Sequence, residues 1–253
     1  MILLLLAAAQ QAPAKPIAGP PSPQEVRYHD CLGLATTAPK DAESKANQWR
    51  LDGGGFVAQQ CLGVAYANQE RWSEGAVEFE GAARAAQMAH DDRAATYWAE
   101  AGNAWLAAGN AGKARAALDA ALAAGTLDDT QRGEAQLDRA RALVATGNLA
   151  EARGDIDHAL VLVPKDSLAW LLSATLARRM GDLPRAHKDI AEAETRAPNA
   201  AAVQLEVGNI AALSNDAASA KAAWQKAVTL APDSAAAASA REALAQFNVP
   251  GAP

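Results

Sequence analysis

Apolar positions in the C-terminal half of this chain recur at a fixed step, and their sizes recur with them. Small residues stand 34 apart at Ala140, Ala174 and Gly208, at Ala152, Ala186 and Ala220, and at Ala159, Ala193 and Ala227. A larger side chain keeps the step at Ile156, Ile190 and Trp224, and a proline at Pro164, Pro198 and Pro232. Midway through each unit stands a turn pair, Gly147-Asn148, Gly181-Asp182 or Asn215-Asp216, able to enter the left-handed conformation that ends a helix. Each proline falls where a missing N–H does least harm and stops a helix. An ordinary alanine-rich bundle has no need for such phasing.

A period of 34 with small residues at these offsets resembles the tetratricopeptide repeat, a helix–turn–helix unit that stacks into a superhelix. The resemblance implies an all-α fold, a right-handed α-solenoid, with units at 133–166, 167–200 and 201–234. In each unit two antiparallel helices approach closely. Ala140, Ala174 and Gly208 on the first helix are expected to meet Ala152, Ala186 and Ala220 on the second. Ile156, Ile190 and Trp224 are expected to fill the space toward the next unit.

Two longer units precede these, 56–94 and 95–132, for five repeats over 56–234. The first matches through Gly63, Tyr66, Trp72, Gly75, Phe79 and Ala82. The second matches through Trp98, Gly102, Trp105, Gly109, Ala114, Leu118 and Ala121. Gly63 to Gly102 is 39 residues and Gly102 to Ala140 is 38, about one helical turn more than 34, so a lengthened helix is expected. Gly125 to Gln131 reads as a connector. Residues 24–55 read as a degenerate helical hairpin with Trp49 inward, stopped by Gly53-Gly54-Gly55. Residues 235–247 read as a capping helix, since a terminal repeat needs a more polar cover, and 248–253 as a frayed tail.

At the other end, Ile2 to Ala9 is an apolar run before the small-x-small site Ala12-Pro13-Ala14, although no Lys or Arg precedes it. Residues 1–14 are expected to be a secretory signal and 15–23, rich in proline, an extended linker. The expected location is periplasmic or secreted, or cytoplasmic if that segment is not a signal.

Composition narrows the partners. The 253 residues carry a net charge of −6 with no basic block of five, which argues against nucleic acid and anionic membranes. No apolar stretch of about 18 residues is present to span a bilayer.

Catalytic patterns are missing as well. The histidines His29, His90, His158 and His187 are scattered, and His90-Asp91-Asp92 reads as a helix end rather than a metal site. Asn110 to Ala114 holds a GK pair but lacks the rest of a phosphate loop. Asp128-Asp129 reads as a helix N-cap. Trp72, Trp98, Trp105, Trp170 and Trp224 read as core fillers. No enzyme activity, cofactor or metal is expected. Cys31 and Cys61, the only cysteines, fall on first helices of adjacent units, which run side by side in such a solenoid. If the chain is exported, a disulfide between them is expected; otherwise they are two buried thiols.

In the family, the second, fifth, sixth, ninth and twelfth positions of each unit look into the concave face. Carried over, these include Gln60, Glu100, Asn103, Glu134, Asp138, Arg141, Thr175, Arg178, Glu206 and Asn209, with Leu171 adding an apolar contact. The lysine by which one subgroup grips a partner's terminal carboxylate is missing: its positions hold Gln60, Ala99, Leu137, Leu171 and Leu205. Arg141 and Arg178, with Arg179, remain as a receptor for an acidic segment. The resemblance implies a non-catalytic scaffold or adaptor for a protein or peptide partner. The alternative is a structural subunit that self-associates through the last repeat and the capping helix.

Overall fold

The computed structural model describes residues 22–247. The expected signal, the tail and residues 15–21 of the linker lie outside that range. The last two linker residues do not belong to a linker. Ser22 caps helix α1 in a reciprocal box: its hydroxyl accepts from the Glu25 N–H at 3.2 Å and its own N–H donates to the Glu25 carboxylate at 2.6 Å. Pro23, needing no N–H there, opens the helix.

The described residues form thirteen helices. They are α1 (Pro23–Thr37), α2 (Pro39–Leu51), α3 (Gly55–Ala67), α4 (Trp72–Met88), α5 (Ala94–Ala107), α6 (Ala111–Ala124) and α7 (Asp129–Ala145). After these come α8 (Leu149–Leu162), α9 (Ser167–Arg179), α10 (Leu183–Arg196), α11 (Ala201–Leu213), α12 (Ala217–Leu230) and α13 (Ala235–Phe247). Together they make an α-solenoid. Each helix packs on the next, and α5, α7, α9, α11 and α13 also pack in series, as do α1 and α3. Backbones of the even-numbered helices stay farther apart, so the odd-numbered helices line the inner, concave face.

The turns inside the last four hairpins use one device. Gly109, Gly147, Gly181 and Asn215 take φ of +74°, +84°, +79° and +61°. The residue after each folds back: the N–H groups of Asn110, Asn148, Asp182 and Asp216 reach Trp105 O, Leu143 O, Ala177 O and Ala211 O at 2.8–3.0 Å. Three of the four then cap the next helix, the side chains of Asn110, Asp182 and Asp216 accepting from the N–H three residues on.

The extra length of the two long units lies in different places. In the first it extends the second helix, α4, to 17 residues against 14 for α6, α8, α10 and α12. In the second it lies in the connector Gly125–Asp128 and in α7, which begins at Asp129 behind an Asp128–Gln131 capping box. A unit boundary at 132/133 therefore falls inside α7, because that box starts the helix early.

The core shows why small residues recur. Residues 16 apart face each other within one hairpin: Gly63 meets Phe79, Gly102 meets Leu118, and Gly208 meets Trp224. A Cβ built on each glycine would lie 2.7, 2.4 and 2.4 Å from the opposing side chain. Where the first helix carries Ala140 or Ala174, the opposing residue is Ile156 or Ile190, buried in the same cluster. The large residue thus packs on its own unit's first helix and also reaches the next unit, Ile156 sharing its cluster with Ala169 and Leu176 of α9, and Ile190 with Val203 and Ile210 of α11. A glycine removes the volume that a bulky neighbour needs.

The tryptophans divide differently from expectation. Trp105 and Trp224 are buried, as is Trp49, but Trp72, Trp98 and Trp170 are only half-buried. Trp98 and Trp170 lie at the edge of the packing, with the guanidinium of Arg84 or Arg196 5.4 and 5.1 Å from the ring centre. At the C-terminal end α13 covers α11 and α12, and Phe247 packs edge-on to Trp224 at 5.4 Å. No helix of the described residues is long and apolar enough to cross a membrane.

Candidate binding groove

One register position of the inner face explains most of its polar contacts. It holds Glu100 on α5, Asp138 on α7, Leu172 on α9 and Glu206 on α11. At three of these an acid accepts hydrogen bonds from the preceding first helix. The Gln60 amide on α3 donates to both Glu100 oxygens at 2.9 and 3.1 Å, while Gln60 accepts from the Tyr28 hydroxyl at 2.9 Å. Asn103 on α5 donates to Asp138 at 2.9 Å. Arg178 on α9 reaches Glu206 at 2.6 and 3.3 Å. Neighbouring units are stitched together on the concave side by side chains of the groove itself.

This settles where the expected groove residues stand. Gln60 and Glu206 are buried beneath the surface. Asn209 donates to Glu206 at 3.1 Å and accepts from the Trp224 indole N–H at 3.1 Å, joining the groove to the core. Arg141 pairs with Asp138 at 2.9 Å on its own helix. Glu134 and Asn103 are exposed, Thr175 is half-buried, and Leu171 packs into the α9–α11 core. Three ladders therefore gather Gln60 and Glu100, then Asn103, Asp138 and Arg141, then Arg178, Glu206 and Asn209. Arg178 is not a free cation.

Glu100 has an uncommon setting for a carboxylate. Burial pushes its pKa up to about 7, only partly offset by the Gln60 amide. It lines a cavity of about 220 Å³ between α5 and α7, with Asn103, Glu134 and Asp138 beside it and no basic residue.

Between α7 and α9 the register holds Leu172, so no acid bridges the units. There a cavity of about 150 Å³ opens, with Val144, Ile156, Leu172 and Leu176 as an apolar floor, Thr175 on one wall, and Arg141 and Arg179 at the rim. Leu172 and Val144 escaped sequence reasoning. For Leu172 the signal was available as the one apolar residue in that register of acids, but reading it requires knowing which position bridges units.

A second charged system, on the other side of the first helices, also went unread. Arg139 grips Asp155 with two bonds of 2.7 and 2.6 Å and also holds Asp119 at 2.9 Å. Arg153 and Arg185 share Asp157, and Arg185 and Ser173 share the buried Asp189. Asp155 and Asp189 stand 34 apart, so the repeat marked them. Cys31 on α1 and Cys61 on α3 are buried at disulfide distance, with Cα atoms 6.2 Å apart. Among the described residues no three His, Cys, Asp or Glu side chains are grouped to hold a metal ion.

No known protein-family model matches the chain, and neither does any curated protein. Solved structures do. PilF of Pseudomonas aeruginosa superposes with a TM-score of 0.70 at 16% identity over 88% of this chain and 96% of its own. PilW, a widely conserved type IV pilus biogenesis factor, gives 0.70 at 17% identity over 86% and 98%. YrrB, a TPR protein with an unusual peptide-binding site, gives 0.55 at 18% over 78% and 96%. The helix pairs, their turns and these superpositions agree: the chain has the fold of the tetratricopeptide-repeat proteins.

Proposed function

We propose that this protein is a non-catalytic adaptor that binds an extended or helical segment of a partner protein along its concave face, in the cell envelope. The observation that carries the reading is the inner face itself: first helices in series, opened by two adjacent cavities between α5, α7 and α9. Asn103, Glu134, Asp138, Arg141 and Thr175 are the contact residues of this reading, Asn103 and Asp138 also bonding each other across α5 and α7. Gln60, Glu100, Leu171, Arg178, Glu206 and Asn209 shape the groove, their side chains engaged by neighbouring helices.

Two findings support the finer terms. YrrB is a peptide-binding TPR protein and PilW a pilus biogenesis factor, which fits a partner-binding role in envelope assembly. Two buried cysteines at bonding distance fit an oxidising compartment.

Site-specific photo-crosslinking in the native host tests the proposal. A photoreactive residue replaces Asn103 or Thr175 on the concave side, or the exposed Lys188 on α10. Adducts from the first two positions and none from Lys188 are expected. Adducts confined to Lys188 would reject the groove.

A further inference from the structure

We propose that the cavity between α7 and α9 is the specificity subsite of the groove, and that it takes an apolar side chain of a partner segment lying next to a carboxylate. This rests on the groove-binding reading above and adds the chemistry of what is bound.

The acid ladder of the inner face is interrupted at Leu172. At Glu100, Asp138 and Glu206 an acid accepts from the preceding unit and closes the inner face. Leu172 at the same register accepts nothing. The first helices α7 and α9 are bridged by no polar side chain there, and the face opens down to Ile156 of α8. The cavity has about 150 Å³ and a floor of aliphatic carbon, a size and floor that accept a benzene-sized group. A leucine or phenylalanine side chain fits both.

The rim sets the charge. No carboxylate lines this cavity, while two guanidiniums do. Arg141 is partly committed to Asp138. Arg179 is exposed and makes no hydrogen bond or ion pair among the described residues, whereas each of the other fourteen arginines makes at least one. A planar guanidinium beside an apolar hole matches a carboxylate one or two residues from the inserted side chain. The cavity between α5 and α7, with Glu100, Glu134 and Asp138, repels the same carboxylate and fixes which way the segment lies.

The test selects peptides from a random displayed library on the full chain, then measures the winners by fluorescence polarisation. Three variants are compared: Leu172→Glu, which installs the acid that the register carries elsewhere; Leu172→Met, which keeps the apolar floor; and Arg179→Gln. Winners are expected to carry Asp or Glu within two residues of a Leu, Ile or Phe. They should bind Leu172→Glu at least tenfold more weakly, Arg179→Gln three- to tenfold more weakly, and Leu172→Met like the parent. Leu172→Glu is expected to keep the parental circular dichroism, since three units already tolerate an acid there. Winners that lack a carboxylate, or that bind Leu172→Glu unchanged while still competing with a concave crosslinker, would overturn the subsite and leave the groove reading standing. Winners that bind without competing with that crosslinker would overturn both.

Discussion

Gly208 and Trp224 occupy a single volume: a Cβ on Gly208 would stand 2.4 Å from the Trp224 indole. The glycine is the complement of the tryptophan, as Ala174 is of Ile190 one unit earlier. Gly208→Ala would return about 1 kcal/mol of helix propensity, but overpacking a rigid buried ring costs about 1–3 kcal/mol. Net destabilisation of about 1 kcal/mol is therefore expected. Combined with Trp224→Ile, which copies the Ala/Ile pairs of the two preceding units, the same alanine should become stabilising. A double-mutant cycle from urea melts followed by circular dichroism measures the change of sign; additive effects would refute the pairing.

The two adjacent arginines of α9 should differ sharply. Arg178 satisfies the buried Glu206, so Arg178→Met strands a carboxylate and should cost about 3 kcal/mol or more. Arg179 has no partner among the described residues, and Arg179→Met should stay within about 0.5 kcal/mol. Chemical denaturation of both variants decides it, and equal effects would show that the Arg178–Glu206 bridge contributes nothing.

Stability should fall as pH rises through Glu100. Its pKa in the folded chain, about 7, lies above the ordinary 4.5, so the folded state binds the extra proton between those values. Stability from this group is full below about pH 4.5 and is lost as pH rises through about 7, by an amount on the order of 3 kcal/mol. Glu100→Gln, which keeps the shape without the charge, should flatten that part of the profile and raise stability at pH 8 more than at pH 5. Melting temperatures from pH 4.5 to 8 provide the check.

Cys31 and Cys61 stand where a bridge would tie the first hairpin to the solenoid. A bridge across their 30-residue separation should contribute about 3–4 kcal/mol. Protein purified without reductant should weigh about two daltons less than the sum of its residues with free thiols. Dithiothreitol should lower the midpoint of unfolding and expose α1 and α2 first in hydrogen exchange. An unchanged mass with and without reductant would mean the thiols stay free.

The sequence by itself determined the helix pairs, their turns and the alternation of small and large residues. These depend on local conformational preference and on volumes that must match at a fixed offset. Gly147, Gly181 and Asn215 announced the left-handed turns, and Ala174 and Ile190 announced a close crossing. Only the tertiary structure decided which groove residues are already engaged. Gln60 and Glu100 are 40 positions apart, Arg178 and Glu206 28, and whether such pairs meet depends on how each unit is rotated on the last. The same rotation left α7 and α9 without a polar bridge at Leu172, and Arg179 without an acid among the described residues. Repetition writes the scaffold in the sequence; which side chains of successive units pair and which do not depends on their packing, and only packed helices reveal that.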